Sequence, residues 1–262
     1  MIIPDLSNPR LFLVTFLVLL AIINLRYFIV SGLFYFVFYL LKPEKWNSRK
    51  IGQKQYSHQQ LRREMIWSVV NSVSFTITGM AIAWLWQNGY TRIYLDLTSY
   101  TILWLPVSLL ISMMIDESYY YWIHRWMHRP AIFKKIHRIH HQSNITSPWT
   151  AFAFHPVEGL LLAIVLPVTL MIIPMHPVVI LVQLSIMTIT SVINHLDVEI
   201  YPANFHRHKI GRWLIGATHH SLHHKQFRYN FGLYFTFWDK WKKTESPRFD
   251  AEFESATRRV KV

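Results

Sequence analysis

Residues 100–128 read YTILWLPVSLLISMMIDESYYYWIHRWMH. An apolar run from Tyr100 to about Ile115 continues as Asp116-Glu117-Ser118-Tyr119-Tyr120-Tyr121-Trp122 into a histidine pair, His124 and His128. At i and i+4 the two imidazoles share one helical face, their Cβ atoms about 6 Å apart. The stretch therefore places two nitrogen ligands where an apolar helix leaves a bilayer. Two further clusters follow, His137-x2-His140-His141 and His219-His220-x2-His223-His224. Each of the two H-x2-H-H triplets, His137/His140/His141 and His220/His223/His224, reads as a helical turn facing one way. Imidazole is the common nitrogen ligand of transition metals. One pair and two triplets give eight ligands, enough for two ions, and leaving so many imidazoles buried without partners would cost several kcal/mol.

Composition points to a membrane. Hydrophobic residues make up 52% and charged residues 16% of the 262, against about 25% charged in soluble domains. The 11 Trp, 13 Tyr and 17 Phe suit long membrane–water boundaries. Four apolar stretches stand out: Leu11–Leu41, interrupted by Arg26; Ile66–Trp86; Tyr100–Ile115; and Gly159–Ile193, broken by Pro174 and Pro177 into two short arms. The first exceeds the ~30 Å hydrocarbon thickness. It lacks a basic leader and a small-residue cleavage site, so it reads as a helix and not a signal peptide. Of the 27 Lys and Arg, 24 fall in segments on one side of these helices, 42–63, 125–138 and beyond Tyr201. By the positive-inside rule that side is cytosolic, and all three histidine clusters lie on it. The net charge of +13 is thus a topology signal, and no nucleic-acid recognition motif accompanies it. Without cysteine, thiolate zinc, iron–sulfur clusters and thiolate haem are excluded. H-E-x-x-H, Walker A, G-x-G-x-x-G and G-x-S-x-G motifs are missing too.

The expected architecture is an all-α membrane protein of about four transmembrane helices in two hairpins, with a histidine-rich helical cap on the cytosolic side. Residues 1–110 supply N-terminal transmembrane helices and a basic loop, 111–243 the catalytic domain, and 244–262 a charged tail read as a surface extension. His195 is a ninth expected ligand. Glu199, four residues on, either joins it or orients an imidazole. Asp116, two turns before His124, is expected to accept an imidazole N–H. His155-Pro156-x-Glu158 reads as a helix start near the site but outside it. His58, His176, His206 and His208 are not expected as ligands, and His219 is expected beside the ligand set.

These residues resemble the fatty acid hydroxylase / sterol desaturase superfamily of integral-membrane oxygenases. The matching text includes Asp116 with His124-Arg-Trp-Met-His128, His137-Arg-Ile-His140-His141, Phe154-His155-Pro-Val-Glu158 and Asn194-His195. It ends with Thr218-His-His-Ser-Leu-His-His224 and Tyr229–Asp239. The resemblance implies a four-helix membrane base and a di-iron centre. It also implies O2-dependent hydroxylation or desaturation at an unactivated lipid C–H bond. It implies that His124, His128, His137, His140, His141, His195, His220, His223 and His224 carry the metals. Some members have a further H-x3-H pair where this chain has His195-x3-Glu199.

The resulting expectation is a multi-pass oxidoreductase of a bacterial inner membrane or an endoplasmic reticulum, binding two iron ions, with zinc able to replace them on overexpression. Its partners are a lipid and O2. With no nucleotide fingerprint in the chain, electrons come from a separate ferredoxin- or cytochrome b5-type donor. The alternatives are a histidine-rich metal transporter and a zinc-binding scaffold.

Overall fold

Helix ends in this chain follow local capping chemistry. In the computed structural model, which describes residues 4–52 and 56–258, helix α1 spans Pro9–Tyr35. Asn8 caps it, accepting from the N–H groups of Arg10 and Leu11, and proline occupies its first turn. A π-helical turn, Phe36–Leu41, prolongs it into one 33-residue apolar helix. Helix α2, His58–Gln87, begins at Ser57, whose hydroxyl accepts from the Gln60 N–H. Helix α3, Trp104–Met127, carries the opening stretch up to the first histidine pair. The fourth apolar stretch forms α4, Pro156–Ala163, α5, Val165–Ile172, and α6, Pro177–Asn194. Pro167 lacks the N–H that would bond the carbonyl of Ala163, which explains the break between α4 and α5. Helix α4 starts at His155 and α6 at His176, and in both an imidazole Nδ1 accepts the N–H two residues on and a proline follows. The helix-start reading of His155 therefore holds, and His176 serves the same purpose.

Among the described residues, three helices are long and apolar enough to cross a membrane: Pro9–Leu41, His58–Gln87 and Pro177–Asn194. Helix α3, which contains Asp116 and Glu117, is not among them, and α4 with α5 forms a shorter apolar segment. The regular structure of the described residues is helical, with only isolated β-bridges outside it. Leu13, Leu17, Leu25, Leu33 and Leu40 along α1 are exposed, a surface suited to lipid.

Helix α2 holds the base to the cap through a polar stripe. Ser68, Asn71, Ser72, Ser74 and Thr76 are buried. Ser68 donates to the carbonyl of Trp149, Asn71 to that of Phe152 and Ser74 to that of Pro156. Small polar residues let backbones approach closely in an apolar setting. The core beneath this contact is Tyr27, Ala151, Phe152, Phe154 and Val192.

The tail is not a surface extension. Residues Phe249–Arg258 form helix α8, which packs on α7, Ala217–Gln226, the helix of the third histidine cluster. Phe249 and Phe253, one helical turn apart, are buried with Leu222. The tail's charges face outward while this i, i+4 aromatic pair anchors it. Residues 259–262 lie outside the described residues.

The packing of α4 on α2 is tight at Gly159, where a Cβ would meet Asn71 Oδ1 at 1.8 Å. At Gly79 an added Cβ meets nothing nearer than 3.5 Å. Gly159→Ala should therefore cost about 1–3 kcal/mol by overpacking, read as a lowered unfolding midpoint in detergent, while Gly79→Ala leaves the midpoint nearly unchanged. Equal midpoints for the two variants would contradict this packing.

Candidate metal centre

All nine expected ligands come together, in two groups. The ring nitrogens of His124, His128, His137, His141 and His223 form one, and those of His140, His195, His220 and His224 the other. Within each, the atoms lie within 4.8 Å of one another. The division is five and four, and each H-x2-H-H triplet is split between the groups. His137 and His141 point one way and His140 the other, while His220 and His224 point one way and His223 the other. Around a helix the i+4 residue lies about 40° to one side of i, whereas the i+3 residue lies about 60° to the other side. A triplet thus straddles two groups and does not face one.

The orientation of the rings is fixed from behind. The Nδ1–H of His124 donates to the carbonyl of Phe231 at 2.9 Å, that of His223 to Tyr229 at 2.7 Å and that of His195 to Ser191 at 2.7 Å. His137 Nδ1 lies 2.6 Å from Glu158 Oε1. A carbonyl oxygen cannot donate, so Nδ1 carries the proton in His124, His195 and His223, and Nε2 presents a lone pair. The ring nitrogens of the two groups converge on these lone pairs. Nε2 of His124 and of His137 are 3.1 Å apart, His137 and His141 3.0 Å, and His223 and His141 3.1 Å. In the second group, His195 lies 3.2 Å from His140 and 2.9 Å from His220. At such distances a ring nitrogen can share a proton or a cation with its neighbour, and a cation serves several nitrogens at once where a proton serves two. The donor set therefore fits a transition-metal ion in each group.

Burial agrees with this. Desolvation, aided by neighbouring imidazoles, holds His137, His140, His141, His220, His223 and His224 well below the usual histidine range. His128 is pushed down to about 2 by burial and by His124. These rings are neutral at pH 7, the form that ligates.

The nearby carboxylates pin backbone. Glu117 accepts from the N–H groups of Leu233, Tyr234 and Phe235, the shortest at 2.6 Å. Asp239 accepts from Phe231 and Gly232, both at 2.9 Å. Together they fix the segment whose Phe231 carbonyl orients His124.

Three sequence expectations need correction. Asp116 accepts no imidazole proton; it accepts the Tyr234 hydroxyl at 2.7 Å. Two turns along a helix is about 12 Å, beyond reach of His124. Glu199 is not among the gathered groups. Its oxygens accept from the N–H groups of Tyr201 and Thr218, the latter in the first turn of α7. Helix α6 ends at Asn194, so His195 and Glu199 share no helical face. Glu158, read as outside the site, touches His137 directly. A lone carboxylate ahead of an apolar run was the available signal. His219 is buried against Phe249 and belongs to neither group. His206 is buried beside Phe253, while His58 and His208 are exposed.

A cavity of about 270 Å³ reaches the second group. It is walled by apolar side chains including Ile22, Phe75, Leu166 and Leu184 and ends at His195 and His220. None of the five residues of the first group lines it.

Residues 109–244, just over half of the chain, match the family model described as fatty acid hydroxylase. The lathosterol oxidase of Mus musculus is 32% identical over 189 residues, covering 71% of this chain and 61% of that protein. The human lathosterol oxidase is 30% identical over 219 residues, 82% of this chain and 69% of that protein. A Delta(7)-sterol 5(6)-desaturase of Gibberella zeae is 31% identical over 160 residues, 61% of this chain and 48% of that protein. The chain thus spans less than two thirds of the mouse and fungal proteins. No solved structure matches.

If Glu158 orients His137, Glu158→Gln should lower metal affinity about 10–100-fold, measured by competition against a chromogenic chelator. Glu199→Gln should leave that affinity unchanged and cost about 1 kcal/mol of stability through the weakened helix start. Unaltered affinity in Glu158→Gln would remove the orienting role.

Proposed function

Because the chain belongs to the fatty acid hydroxylase family, we propose that it is a membrane-bound oxidoreductase that uses O2 to hydroxylate or desaturate a lipid at an unactivated C–H bond. The observation that carries this reading is the convergence of ring nitrogens in two adjacent groups, with an apolar cavity ending at one of them. His124, His128, His137, His141 and His223 would hold one iron ion, and His140, His195, His220 and His224 a second. When bound, two irons supply the reductive activation of O2 that C–H cleavage requires.

The residues of the chain provide the remainder. Backbone carbonyls and Glu158 hold the imidazoles in the ligating tautomer. The apolar cavity wall excludes water and receives a hydrocarbon skeleton. Tyr234 and Asp116 form a buried hydrogen-bonded pair, with Asp116 on the cavity wall. The names of the relatives make a sterol skeleton the first hydrocarbon body to test in that cavity.

In this reading residues 1–110 form the N-terminal membrane helices, 111–243 the catalytic domain and 244–262 the tail. Four segments, α1, α2, α3 and the α4–α6 hairpin, engage the bilayer, and the histidine groups face the cytosol of a bacterial inner membrane or an endoplasmic reticulum. Electrons arrive from a separate ferredoxin- or cytochrome b5-type protein docking on that basic side.

Elemental analysis of protein from iron-supplemented cells should give about two irons per chain, the number the two groups can hold. His124→Ala, His140→Ala and His223→Ala should each lower iron content and abolish formation of an O2-dependent lipid product while the chain still inserts into membranes. Full activity in all three variants would discard the ligand assignment. Folded protein that binds no metal would discard the proposed function.

A further inference from the structure

Arg26 is the single basic residue of the first apolar stretch. It sits next to the midpoint of the 33-residue helix Pro9–Leu41, about 25 Å from either end. A charge so placed costs several kcal/mol unless it is paired. Yet Arg26 enters no ion pair among the described residues, and its buried Nε has no hydrogen-bond partner. Its nearest surroundings, which include Ile23, Phe75 and Phe152, are apolar apart from Ser68, Ser72 and the Tyr27 hydroxyl. None of these carries negative charge.

Arg26 lines the same cavity that ends at His195 and His220. The carboxyl-bearing residue of that wall, Asp116, is engaged by Tyr234. The cavity therefore has an apolar body, one end at a histidine group, and one unpaired cation in its wall.

We infer that Arg26 binds an anionic oxygen group on the lipid that enters this cavity, so that the substrate is an acidic lipid, its carboxylate, sulfate or phosphate on Arg26 and its hydrocarbon against the cavity wall. The inference rests on the proposed lipid-oxidising function and specifies its substrate. A neutral hydroxyl would satisfy one N–H and leave the charge uncompensated. A carboxylate, sulfate or phosphate accepts two N–H bonds from the planar fork and neutralises it. Arg26 lines the cavity, so an anion carried by a lipid bound there can reach it.

The test uses the full chain, iron-loaded, in phosphatidylcholine nanodiscs. Binding is measured for two matched pairs, oleate against oleyl alcohol and cholesteryl sulfate against cholesterol, and for phosphatidic acid. At least one anionic lipid should bind about tenfold or more tightly than its neutral counterpart, the range of a charge-assisted hydrogen bond. Arg26→Gln should erase that preference and Arg26→Lys should keep part of it, with iron content equal in all three proteins. Preference for oleate, for the sulfate or for phosphatidic acid tells which anion source the site takes, and each supports the inference. Equal binding of oleate and oleyl alcohol together with equal binding of cholesteryl sulfate and cholesterol and no binding of phosphatidic acid by the wild-type protein, or a preference that survives Arg26→Gln, overturns it. Should Arg26→Gln fail to accumulate, the wild-type ratio and the Lys variant decide. Failure here with iron retained and an O2-dependent product formed would leave the proposed function standing. Loss of iron and product from the wild-type protein would remove that function instead.

Discussion

Everything in the cap answers to one constraint: nine imidazoles gather their ring nitrogens in two small volumes. Neutral rings with Nε2 atoms about 3 Å apart must share a proton or a cation between them, because two facing lone pairs repel in a low-dielectric interior. The chain accepts that crowding and opposes it with hydrogen bonds on the far side of the rings. Four of the nine are clamped at Nδ1, and the helices that present them are packed against α6 and α8. The site is thus preorganised by groups that would never touch a metal ion.

The buried carboxylates show how the clamping is done. Each is spent on backbone, hydroxyl, amide or imidazole, and none on a lysine or arginine. Glu64 gathers Ser143, Ser147 and Gln60, which fixes the segment after His141. Glu117 and Asp239 fix residues 231–235, and Glu199 fixes the start of α7. A carboxylate with several short hydrogen bonds holds a loop firmly where no secondary structure does. The cap is largely irregular chain between short helices, so these anchors stand in for a scaffold.

Much of this was legible in the sequence. The nine histidines were readable because helical spacing and repetition survive without a fold. The four apolar stretches were readable by length, and the proline breaks marked where the last one folds back. What escaped was the division of labour among the acids. Asp116 and Glu199 sat at suggestive spacings from histidines, but spacing assumes a continuous helix and ignores axial rise. Glu158 sat at a plain helix start, and only tertiary packing of α4 on α2 brings it to His137. The tail looked like a charged extension because two phenylalanines in a charged run carry little weight until a partner surface exists. Arg26 was visible as an interruption, but the cavity it lines is made by helices far apart in the chain.

The carbonyl that orients His124 belongs to a residue 107 positions later. Every proposed ligand has been synthesised by His224, yet His223 and His124 still lack their acceptors, Tyr229 and Phe231, and Asp239 has not yet arrived to hold that segment. Closing so long a loop carries an entropic cost that grows with the logarithm of its length. The histidine clusters alone therefore do not fix their rings; the clamped geometry of the two groups exists only in a chain extended past Asp239.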